Sequence, residues 1–168
     1  MSIKVIFIAL LKCISLSLFA QGEYAGPILK KLVGRTYTDG KPLPGLTGYH
    51  FTEGNGVPGV TPNEQMNVQI LRKGTKAAVV FSLLTDSANK TCTIMDVLEV
   101  LNIAPGWRVE SYFCRLNKMI DVELVAVARK NKADFLSDIK QAWRFNRVKR
   151  RFETILVQGI DCFNEGDD

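Results

Sequence analysis

Between residues 66 and 156 the apolar side chains recur mostly with a period of two, and a chain written that way builds antiparallel sheet before anything else. Trp107, Val109, Ser111 and Phe113 alternate with Arg108, Glu110, Tyr112 and Cys114, the pattern of a strand with one wet face. Two extended runs flank Lys73-Gly74, from Met66 to Arg72 and from Thr75 to Leu84, and read as a hairpin. A second hairpin carries Ile120 to Ala128 after the polar turn Leu116-Asn117-Lys118, with Val122, Leu124 and Ala126 on its apolar side. A third joins Ile139 to Asn146 with a run through Phe152, Thr154 and Leu156. Phe135, Ile139 and Trp143 also match a helix, but the alternation through Phe145 favours strand there. Tyr49 to Thr52 is a short strand, ended by Gly54-Asn55-Gly56 and Pro58-Gly59.

One interval breaks the period. Ile94, Val97, Leu98 and Leu101 follow the i, i+3, i+4, i+7 spacing of a helix face. Thr93 with Asp96 resembles a capping box, and Pro105-Gly106 stops the pattern, which predicts a helix over 94–103. Ala25 to Val33, with Pro27 early and Gly34 just beyond, predicts a short N-terminal helix. The expected fold class is therefore α+β: a single domain with a twisted antiparallel sheet of about seven strands, the 94–103 helix packed on it, and the short helix before it. With 168 residues, 46% of them apolar, the chain has enough material for that core.

Met1 to Ala20 combines an early Lys4, the apolar run Val5 to Leu11 and a cut after Ala20, and is read as a signal peptide preceding an exported domain over 21–168. Lys12 leaves the apolar segment too short to span a bilayer, and a Lys before Cys13 is unlike a lipoprotein signal, so no stable membrane anchor is expected after cleavage. Losing Lys4 and Lys12 from the 22 cations leaves 20 against 17 acids, a net charge of +3 that generates little long-range field. No nucleic-acid partner is expected, and the location expected is periplasmic or secreted.

Export places Cys92, Cys114 and Cys162 where thiols oxidise. No C-x-x-C is present, so neither a thioredoxin-type site nor a zinc knuckle is expected. Cys114 with Cys162 is the preferred bridge, stabilising the domain by roughly 3 to 4 kcal/mol through chain entropy, with Cys92 a buried thiol.

The chemistry is sparse. His50 is the single histidine, which excludes a multi-histidine metal site, and no cofactor is expected. His50 with Glu53, or with Asp39, would suit a small hydrolase, although no G-x-S-x-G elbow supplies a nucleophile. Asp134 and Asp138 pair only if their segment is helical. Asn89-Lys90-Thr91 matches a glycosylation acceptor. The densest cluster is Trp143, Arg144, Arg147, Lys149, Arg150 and Arg151, a basic hairpin interleaved with aromatics that would suit a protein partner or an anionic polymer. These features point to a non-enzymatic binding protein of the cell envelope, such as an inhibitor or immunity-type protein that binds another envelope protein. The hydrolase is the alternative.

Overall fold

The computed structural model describes residues 27–166, so the signal peptide expected at 1–20 lies outside the described residues. The architecture is nearly all β, which corrects the α+β expectation. Helix is confined, among the described residues, to one turn, α1 (Pro27–Lys30). The strands are β1 (Thr36–Thr38), β2 (His50–Pro58), β3 (Gln65–Lys73), β4 (Lys76–Asp86), β5 (Thr91–Val100), β6 (Trp107–Ser111) and β7 (Cys114–Leu116). There follow β8 (Met119–Ile120), β9 (Leu124–Arg129), β10 (Phe135–Leu136), β11 (Ile139–Asn146), β12 (Arg151–Ile155) and β13 (Ile160–Phe163).

These thirteen strands form three sheets rather than one sheet of seven. The first runs β1-β5-β4-β3-β2, the second β12-β11-β9-β6, and the third, small one β10-β13-β7-β8. The first two pack face to face as a sandwich. Met66, Ile70, Val79, Phe81 and Leu98 from one side meet Val109, Val127, Trp143, Phe145 and Phe152 from the other. The outer face of the first sheet is covered by the N-terminal segment, where Leu29, Leu32, Leu43 and Leu46 lie on Leu71, Val80 and Ile94. The third sheet covers the outer face of the second, with Cys114, Ile160 and Cys162 against Leu124, Ala126 and Ala142.

This layering explains why 94–103 mimics a helix. β5 puts buried apolar residues on both faces, Cys92, Ile94 and Val97 under the N-terminal segment and Leu98 and Val100 in the sandwich, so no single apolar side reveals a strand period. A bulge in its pairing with β4, between Asp96 opposite Phe81 and Ile94 opposite Ser82, inserts Met95. The extra residue returns Ile94 and Val97 to one face at a spacing of three, while Leu98 turns into the sandwich. Asp96 is no helix cap: it accepts hydrogen bonds from the Val97 amide (2.9 Å) and from the Phe152 amide at the start of β12 (2.7 Å).

The wet face expected on β6 is also covered. Arg108 and Glu110 are each only 8% exposed, because the C-terminal segment closes over Arg108 through Asn164 Oδ1 (3.0 Å) and the Gly166 carbonyl (3.2 Å). Cys114 and Cys162 form the disulfide, and Cys92 is buried without a bridge. A disulfide is compatible with an extracellular protein. No helix among the described residues is long and apolar enough to cross a membrane.

Candidate functional site

β2 is an edge strand and longer than its sequence suggests, because Gly54-Asn55-Gly56 lies inside it rather than ending it. Gly54 faces Gln69 and Gly56 faces Asn67 across the β2–β3 ladder. Two glycines at alternate positions strip one face of the edge strand of side chains, and the crossing segment 39–49 does not fill the space. The result is an open cleft of about 740 Å³. Asp39, Lys41 and Tyr49 line one wall, Asn67 and Gln69 the floor, and His50 and Phe51 the rim.

The floor and wall are tied together. Gln69 Nε2 donates to Asp39 Oδ1 at 3.2 Å, and the Gly40 amide donates to the same oxygen at 3.0 Å. Asn67 Nδ2 donates to the Cys92 sulfur at 3.5 Å, and Tyr49 donates to Glu99 at 3.4 Å while Lys73 lies over its ring. Phe51 is 61% exposed but not loose. A β-carbon at Gly54 would stand 2.9 Å from Phe51 Cε2, so the ring occupies the space that the glycine leaves. At Gly56 a β-carbon would meet nothing within 4 Å.

Of the residues singled out from the sequence, His50 lies on the cleft together with Asp39. Glu53 does not join it. Its carboxylate accepts from Ser111 Oγ at 3.1 Å, on the side where β2 meets β6, and burial raises its pKa. Glu110 is nearby, ion-paired with Arg108, yet burial outweighs the guanidinium and holds the carboxyl at about 7 instead of 4.5.

That shift fixes a pH dependence. The folded state keeps a proton on Glu110 between 4.5 and about 7 that the unfolded chain releases, so stability is greatest below this window and falls as pH rises through it. Glu53 and Asp96, also raised by burial, act in the same direction. At lower pH the sign reverses, because the Arg115 hydrogen bond holds Asp161 below the usual carboxylate range. Urea midpoints are therefore expected to fall between pH 5 and 7.5, by on the order of 2 kcal/mol in stability, and Glu110→Gln should flatten the slope. A midpoint that rises over this range contradicts the assignment.

The basic hairpin is β11 and β12, and its side chains are distributed unequally. Trp143 is buried in the sandwich beside Phe145 and Phe152. Arg144 pairs with Asp121 and Glu123, and Arg147 with Glu123 and the carbonyls of Pro58 and Gly59. Lys149 and Arg151 share Glu153, and Arg150 reaches Glu64 at 3.4 Å. The cations thus face carboxylates of this same chain. Among the described residues no three His, Cys, Asp or Glu side chains converge as metal ligands would.

Sequence reasoning missed Phe51, Gly54, Gly56, Asn67 and Gln69 as a group. The available signal was the polar alternation Asn67, Gln69 within β3, set opposite two strand glycines. Comparison with known proteins gives no match, whether by family model, by curated relative or by solved structure.

Proposed function

We propose that this chain is an exported, non-enzymatic binding protein, periplasmic or secreted, whose ligand enters the cleft beside β2 and β3. The observation that carries the proposal is the pair of interior glycines on an edge strand, opposite polar side chains in an open concavity. Glycine weakens a strand, and one reason to place it there is close approach of another molecule. The Cys114–Cys162 bridge supports an oxidising location. Binding of an envelope protein or anionic polymer through the 143–151 hairpin has less support, since Trp143 is in the core and the cations already have carboxylate partners.

A hydrolase using His50 with an acidic partner is the second reading, and the presence of His50 and Asp39 on one cleft favours it. Against it, Asp39 is oriented by Gln69 and Gly40.

The test is a fragment screen followed by amide chemical shifts. Fragments are expected to perturb Gly54, Gly56 and Gln69. Gly56→Trp should abolish those shifts while leaving the urea midpoint within about 1 kcal/mol, since nothing within 4 Å obstructs the new side chain. Shifts that cluster elsewhere, or that persist in Gly56→Trp, overturn the proposal. Ester or glycoside turnover that disappears in His50→Ala establishes the second reading in its place.

A further inference from the structure

We infer that the cleft takes a neutral saccharide, a ligand class that rests on the binding reading above. The polar atoms decide the class. A carboxylate only accepts, so the bond to Asp39 fixes Gln69 with Nε2 toward it and leaves Oε1 spare. Asn67 stands with Nδ2 on the Cys92 sulfur, which leaves its Oδ1 spare in this arrangement, and Asp39 keeps Oδ2. None of these three oxygens has another bond among the described residues. The cleft therefore offers several planar acceptors, which call for a ligand rich in hydroxyl donors.

Charge narrows the choice. The lining carries one acidic side chain, Asp39, and one basic one, Lys41, so its formal charges balance and favour neither an anion nor a cation. A wholly apolar ligand would strip water from the three acceptors without replacing its hydrogen bonds. The exposed ring of Phe51, lying over Gly54, supplies a flat apolar surface beside the acceptors. A pyranose has both halves of that complement: an apolar C–H face to lie on a ring, and an equatorial belt of hydroxyls to meet the oxygens. Beyond the ring, Gly56 leaves the edge open, so a further sugar unit can pass along β2 there.

The experiment uses the full folded chain and three probes, cellohexaose, the hexamer of N-acetylglucosamine, and maltohexaose, measured by calorimetry and amide shifts. At least one is expected to bind with shifts at Gly54, Gly56 and Gln69, with an affinity that does not change with salt. Phe51→Ala, at an exposed position, should weaken it about tenfold. Asn67→Ala and Gln69→Ala, checked for folding by their denaturation midpoints, should each weaken it further than Lys41→Ala. If none of the three probes binds, or Phe51→Ala binds as well as the parent, the saccharide inference is wrong. Fragments that still perturb the cleft in that case preserve the binding reading alone, and their absence removes both.

Discussion

Phe81→Ala is expected to cost about 3–5 kcal/mol, close to the whole stability of a small domain. Phe81 sits in the middle strand of the five-stranded sheet, fully buried, with its ring stacked on Phe145 (interplanar angle 6°) and edge-on to Phe152 (82°). The two partner rings come from the opposing sheet, so the cluster is the central fastening of the sandwich. Backbone on either side of Phe81 is held in two ladders, which limits collapse into the cavity. Phe81→Leu, which keeps most of the volume, should lose far less. Urea denaturation at one pH measures both, and a loss below about 1 kcal/mol for the alanine variant would show that these rings contribute little.

Replacing Cys114 and Cys162 together by Ala should lower stability by about 4 kcal/mol, from the loop of 48 residues that the bridge closes in the unfolded chain. Cys92→Ala should leave the bridge intact. Denaturation with and without reductant reads the difference, and equal midpoints would exclude a structural role. Intact mass of the same material, recovered from outside the cytoplasm, reports whether the chain starts at Gln21 as export requires.

Much of the strand pattern was visible wherever one face was polar or a turn was tight. The β3–β4 hairpin closes at Lys73 and Lys76 around the expected Gly74. Asn117 and Lys118, both with positive φ, make the two-residue turn between β7 and β8. The β11–β12 hairpin follows from alternation in the same way. What stayed hidden depends on layers supplied by distant residues. Arg108 and Glu110 look solvated until Asn164 and Gly166 return to bind Arg108, which in turn pairs with Glu110. β5 has buried apolar residues on both faces because the sheet is covered on both sides, and its bulge at Met95 counterfeits a helical period. The cations of the 144–151 hairpin were conspicuous, but their carboxylate partners Glu64, Asp121 and Glu123 lie up to 86 residues away. The cleft was the least legible part, since strand glycines are easily taken for punctuation.

The position of the bridge in the chain bears on how the thiols find each other. Strands β2 to β5 form a meander of sequence neighbours, to which β5 adds only the short pairing with β1, and contacts between sequence neighbours close early. β13, which carries Cys162, is the last strand, and it has to reach β7 before Cys114 has a partner. Cys92 is fully buried in the finished first sheet, whose strands all precede Cys162 in the chain, so a chain that folds from its N-terminus is expected to seal it before Cys162 arrives. The three cysteines among the described residues permit three pairings, and that order of assembly withdraws Cys92 from two of them. The fold thus protects its own oxidation from error, with the disulfide acting as a latch shut on a finished sandwich.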